Sequence, residues 1–113
     1  MASSYNLPTI IKGDTFKDLQ FTITVNAVPL DLTDYTIACK FRKSSKTGTI
    51  AKSIDTTSGI TLTTPASGIF KIDAFTCDFT AGTYYYDIEF TSTTGEINTY
   101  VSGQMKVEQD VTY

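Results

Sequence analysis

Asp87 and Glu89 stand at i and i+2 in TYYYDIEF (83–90), and Glu96 follows beyond a glycine-containing turn. Two carboxyls facing each other across a cleft can divide acid and base work on a glycosidic bond. Two on one face of a single strand form a solvated acidic surface instead, and that is the expectation here. The usual partners of catalysis are missing around them. The chain has no histidine, so the commonest general base and metal ligand is absent. Ser–His–Asp and Cys–His arrangements therefore cannot be assembled. Cys39 and Cys77 lie far apart in sequence and have no histidine partners, which excludes a zinc site of the usual kind. KTGT (46–49) lacks the preceding glycine and the strand-to-helix setting of a phosphate loop. Asp31, Asp34 and Asp55 offer oxygen ligands, but neither EF-hand spacing nor a dense acidic loop surrounds them. Asp31 and Asp34 are expected to cap a turn through their own backbone. The residues thus predict no catalytic group, no metal site and no cofactor.

Aromatic rings are the remaining candidates, since an exposed ring can stack on a sugar or a partner. Tyr84, Tyr86, Ile88 and Phe90 share one strand parity that is apolar throughout, which makes it the core face. Tyr85 shares the opposite parity with Asp87, Glu89 and Thr91 and is expected outside. Tyr100 has the outward parity of its own segment. If that segment pairs with 83–92 through STTG (92–95), Tyr85 and Tyr100 come together as a small patch, the best local candidate for a partner contact. DFTAGTYYY also follows the tyrosine-corner pattern, in which the Tyr84 hydroxyl would tie to nearby backbone.

The elements that must position these residues read as strands. Threonine, aromatic and β-branched residues dominate, with seven Tyr and seven Phe. Alternation is clear in FTITV (21–25), YTIACKFRK (35–43), GIFKIDAF (68–75) and EINTYVSGQMKVE (96–108). In the last of these, Ile97, Val101, Met105 and Val107 keep one parity. Shorter strands are expected at Thr49–Ile54 and Ile60–Thr63. KTG (46–48), DTTSG (55–59), PASG (65–68) and STTG (92–95) supply turns between them. DAFTCDFTAG (73–82) has room for one helical turn as a crossover. Pro29 falls in a loop, NAVPLDLTD. Gly103 marks either a bulge, a close backbone approach, or an inward glycine beneath a large neighbour. This pattern predicts an all-β fold, an immunoglobulin-like antiparallel sandwich of about seven to eight strands. A small barrel is the alternative.

Composition sets the outer limits. At 113 residues the chain fits one domain, 1–113, with a short extended arm over about residues 1–10. Hydrophobic residues at 41% and charged residues at 19% indicate a folded globular chain. A net charge of −3 lacks the basic footprint of a nucleic-acid binder. No apolar run approaches the ~20 residues of a membrane span, and no signal-peptide pattern opens the sequence. Folding in a cytoplasm is the expectation. Cys39 and Cys77 are then expected as free thiols, a Cys39–Cys77 disulfide between two layers being the alternative.

Two stretches carry a resemblance. KGDTFKDLQFTITVNAVPLDLTDYTIACKFRK (12–43) resembles the opening of small tailed-phage virion domains, especially the N-terminal domain of baseplate upper proteins. There a KGDT start leads into an alternating strand, a P-x-DLT-x-Y turn and a strand ending in basic residues. SGIFKIDAFTCDFTAGTYYYDIEFTSTTGEINTYVSGQMKVEQDVT (67–112) resembles the same group in its AGTYxYDIE strand, TGE hairpin and GxxxVxxDVT ending. The resemblance implies a virion structural subunit of the tail, baseplate, neck or capsid-decorating kind, assembled in the host bacterial cytoplasm. It implies other virion proteins as partners, a homo-oligomer in the particle, and no nucleic acid or membrane. Baseplate upper proteins continue past this domain, so a chain stopping at Tyr113 is expected to be a stand-alone accessory subunit. The polar arm MASSYNLPTI and the C-terminal EQDVTY would reach neighbouring subunits or a sheet edge. The competing expectation is a carbohydrate- or host-surface-binding adhesion module.

Overall fold

The computed structural model describes residues 3–109. Its strands, in chain order, are β1 (Ser3–Ser4), β2 (Ile10–Ile11), β3 (Thr15–Phe16), β4 (Leu19–Thr22), β5 (Thr24–Val25), β6 (Val28–Pro29), β7 (Thr36–Lys43), β8 (Ile50–Asp55), β9 (Ile60–Thr64), β10 (Ile69–Ile72), β11 (Phe75–Thr76), β12 (Gly82–Thr91) and β13 (Ile97–Glu108). Several are pieces of one longer run. Phe16 faces Phe75 and Leu19 faces Ile72 in the same antiparallel register, so β3–β4 and β10–β11 are two halves of a single pairing interrupted at Lys17–Asp18.

These strands stack as an immunoglobulin-like β-sandwich. The larger sheet has the order β1-β13-β12-β7-β8, with β2 also on β13. The facing layer is β4-β10-β9, prolonged by the β3–β11 pair and the β5–β6 hairpin. Alternation explains the packing. The inward residues Ile37, Cys39 and Phe41 of β7 and Tyr84, Tyr86, Ile88 and Phe90 of β12 meet Phe70 and Ile72 of β10 in one buried core. Phe41, Phe70 and Phe90 are fully buried, each stabilising the fold by roughly 1.5–3 kcal/mol relative to exposure. Cys39 and Cys77 are buried and unbonded.

Three local expectations are corrected. Residues 73–82 form no helical turn; they run extended through β11, and Cys77 and Phe79 plug the end of the core. The described helix is a 3₁₀ turn at Pro65–Ser67, closed by Gly68 in the left-handed region with φ 74°. Pro29 lies in β6 opposite Thr24, in a hairpin whose turn residues Asn26 and Ala27 both have positive φ. Parity in β13 does not hold throughout. Ile88 faces Val101 but Glu89 faces Thr99, so Tyr100 is an extra residue in a β-bulge. Beyond the bulge the faces exchange, and Ile97 is 61% exposed instead of buried.

The arm has its own place. Met1, Ala2 and residues 110–113, the end of EQDVTY, lie outside the described residues. From Ser3 to Ile11 the chain runs parallel to β13, along the edge of its own larger sheet. Tyr5 N–H donates to Ser102 O and Leu7 N–H to Gln104 O, both at 2.8 Å, and the Leu7 side chain is buried. The Tyr86 hydroxyl donates to Tyr5 O from below. Gly103 is the close approach that permits this: a Cβ there would lie 2.0 Å from Tyr5 O.

Candidate functional site

The outer face of the larger sheet carries three of the residues that the sequence marks for chemistry, Tyr85, Asp87 and Glu89. On β12 the outward set is Tyr85, Asp87 and Glu89, facing Arg42, Lys40 and Ala38 of β7. On the other side they face Gln104, Ser102 and Thr99 of β13. Together with Asn6 of the arm and Lys46 these residues, Ala38 excepted, line a shallow concavity of about 550 Å³. Asp87 and Glu89 project from one strand, with a lysine facing the first. Glu96 lies in the turn at the end of the sheet, where Asn98 Nδ2 donates to its carboxylate at 2.9 Å. Arg42 is bent back to donate to Gly48 O at 3.0 Å.

Tyr85 and Tyr100 are not brought together. Tyr85 is half-buried on the outer face, as its parity predicts. Tyr100 sits at the bulge and turns toward the core, its ring 5.2 Å from that of Phe90 in an edge-to-face arrangement. The tyrosine patch is therefore corrected: Tyr85 faces Gln104, four residues along β13 from Tyr100, and the bulge turns Tyr100 inward.

The other tyrosines serve the fold. The Tyr84 hydroxyl donates to Thr80 O at 2.7 Å, closing a tyrosine corner. Lys43 Nζ donates to Thr80 Oγ1 at 2.6 Å, which ties the end of β7 to that same corner. Burial pushes the Tyr86 phenol well above its ordinary range, with nearby Cys39 and Tyr5 adding to the effect. Burial likewise pushes up the Cys39 thiol, with Asp87 a lesser cause, so it is protonated at neutral pH.

The acidic turns bind their own backbone. Asp31 Oδ1 accepts the Thr33 N–H at 2.9 Å. Asp55 Oδ1 accepts the Thr57 N–H and hydroxyl and the Ser58 N–H. Hydrogen bonds from Thr57 and from Thr33 hold the Asp55 and Asp31 carboxyls below the usual carboxylate range. Asp34 occupies the left-handed region at φ 65°. Among the described residues, no group of three or more Cys, Asp and Glu converges to hold a metal ion.

A second concavity, which alternation does not reveal, opens on one side of the sandwich. It holds about 690 Å³ between the arm and the β4–β5 edge, lined by Tyr5, Phe21, Ile23, Val25 and Tyr100 among others. The Tyr5 ring stands edge-on to Phe21 at 5.9 Å, and Phe21 stacks on Phe70 at 5.3 Å. This place depends on topology, because it is formed where two sheet edges meet. No membrane-crossing helix occurs among the described residues.

No protein-family model matches the sequence, and no curated protein does. Among solved structures the fold is similar to that of CopC from Methylosinus trichosporium OB3b, with a TM-score of 0.50 and 14% identity. That match covers 89% of this chain and 84% of CopC. At such identity the likeness concerns the fold alone, and the fold it supports is the all-β sandwich.

Proposed function

We propose that the chain is a non-enzymatic structural subunit of a tailed-phage particle, in the tail, baseplate, neck or capsid decoration, acting through protein–protein contacts. The observation that carries this reading is the sequence resemblance of 12–43 and 67–112 to small virion domains. The disposition of the acidic residues agrees with it: Asp87 and Glu89 share one strand face, while Asp31 and Asp55 bind their own turns. A subunit of this kind needs surfaces and edges, not a reaction centre. Its partners are other virion proteins and further copies of itself, in a particle assembled in the host cytoplasm.

A second reading, a carbohydrate- or host-surface-binding module, is favoured by one feature. The outer concavity combines the half-buried Tyr85 ring with acid, amide and cationic groups, the mixture that sugar sites use. Mass spectrometry of phage particles purified from the strain that encodes the chain separates the two, alongside a glycan array on the free protein. The structural reading expects the chain in the particles at a fixed copy number and no glycan bound. Absence from the particles, with glycan binding lost in Tyr85→Ala, would overturn it.

A further inference from the structure

Four strand edges border the two sheets, and three of them are guarded against pairing. The β13 edge is covered by the chain's own arm, which becomes the outer strand and is broken by Pro8 between β1 and β2. The β8 edge carries Lys52 and Asp55 and a bulge at Ala51, where Phe41 faces Lys52 but Arg42 faces Ile50. The β9 edge is bulged against β10 between its pairings at Thr61 and Thr64, and it ends at Pro65. Charges, bulges and prolines are the devices by which sheets avoid edge-to-edge association. The remaining edge runs on from β3 past the charged break at Lys17–Asp18, and its β4–β5 part, LQFTITV (19–25), has none of them. It contains no charged residue and no proline, and β4 pairs with β10 without a register shift.

That edge also has donors and acceptors to offer. Ile23 N–H donates to Gly68 O and Ile23 O accepts from Leu30, so this residue points its backbone toward β10 and β6. Alternation then aims the backbone groups of Gln20, Thr22 and Thr24 the other way, and no strand among the described residues pairs there.

We propose that this edge pairs antiparallel with the same edge of a second copy of the chain, about a two-fold axis at Thr22. In that register Gln20 faces the partner copy's Thr24, and Phe21 faces its Ile23. Leu19 faces its Val25. Polar side chains meet polar ones on the outer face, and apolar ones meet apolar ones on the inner face. A self-paired strand brings any charge close to its own duplicate, and this strand has no charge to repel. The join makes one continuous sheet from the two β4-β10-β9 layers. It also brings together two concavities of mixed polar and apolar lining, each with a Tyr5 that is 43% exposed and a Val25 that is 40% exposed. An isologous contact of this type closes as a dimer. The pairing deepens the assembly reading, and rests on it for its purpose; a dimer of the free chain can be found or refuted whatever the particle assay returns.

Sedimentation equilibrium of the free chain tests the pairing, together with cysteine cross-linking that reads its register. The wild type is expected to dimerise at or below about 1 mM, a concentration at which even a Kd of that size populates the pair. Thr22→Lys places two charges face to face and is expected to give a monomer with unchanged circular dichroism. Thr63→Lys, on the bulged β9 edge, is expected to leave the dimer intact. Under mild oxidation Thr22→Cys should cross-link to itself. Gln20→Cys should do so only when mixed with Thr24→Cys. A wild type still monomeric at about 1 mM would overturn the proposal. So would a Thr22→Lys dimer, or a Gln20→Cys variant that links to itself as fast as Thr22→Cys.

Discussion

The outer face of the larger sheet and the open side of the sandwich differ in what holds them. The face around the half-buried Tyr85 and the exposed Asp87 and Glu89 is a polar row on long, fully paired strands. The open side sets Tyr5, Phe21 and Tyr100 among Ser4, Gln20 and Thr22, rests directly on the core rings Phe70 and Phe90, and borders an unpaired edge. A face already paired on both sides can gain only side-chain contacts. An open edge can gain backbone hydrogen bonds as well, and those come with geometry and register. The second region is therefore the better place for a subunit contact, although the first holds Tyr85, Asp87 and Glu89.

Substitutions beneath and beside the open side should cost the most. Phe70→Ala removes a fully buried ring that supports Phe21 and Phe90, and should destabilise the fold by about 3–5 kcal/mol in denaturant titration. Gly103→Ala should come next, at about 1–3 kcal/mol, because its Cβ meets the Tyr5 carbonyl. Its distinguishing sign is faster amide exchange at Tyr5 and Leu7, whose N–H groups dock the arm. Tyr84→Phe removes the corner hydrogen bond to Thr80 O and should cost about 1 kcal/mol.

The two tyrosines at the centre of the sequence reading then give the sharpest contrast. Tyr85→Ala on the outer face should change stability by no more than about 0.5 kcal/mol. Tyr100→Ala should exceed it, since Tyr100 packs edge-to-face on the buried Phe90. Equal costs at the two positions would remove the distinction between face and open side.

What was legible in the sequence follows the same line. β7, β10 and β12 are regular, and their alternation predicts which of their residues enter the core, including Tyr84 and Tyr86 inward and Tyr85 outward. The Asp31 turn and the Tyr84 corner were legible because both are made by residues close in sequence. The bulge at Tyr100 was not legible. An extra residue leaves the residue types unchanged and alters only the register against a partner distant in sequence. Nor could alternation show that residues 3–11 lie along β13, although Gly103 marked a close approach as one of its readings. The open side escaped notice because it is formed by the meeting of two edges, which is a property of topology.

The pH dependence is the smallest expected effect. Burial raises the Tyr86 phenol and the Cys39 thiol above their ordinary values of 10.0 and 9.0. The folded state thus favours the protonated forms, and the stability they contribute is complete below about pH 9 and falls as pH rises beyond it. Tyr86→Phe should make that alkaline loss shallower in chemical denaturation. Asp55 and Asp31 act in the opposite direction: their lowered carboxyls contribute stability above the usual carboxylate range, and it is lost as pH falls through and below that range. Asp31 is exposed and Asp55 only partly covered, so only a slight acid slope is expected.

The central claim, that this chain associates through an edge and not through a face, is tested most directly by amide hydrogen exchange of the free protein at two concentrations. One concentration lies well below the dimerisation midpoint and the other well above it. The N–H groups of Gln20, Thr22 and Thr24 are expected to become protected at the higher concentration. Solvent accessibility of Tyr85, followed by side-chain labelling in the same samples, should not change. Exchange at those three amides that is fast at both concentrations, with Tyr85 becoming shielded instead, would contradict it.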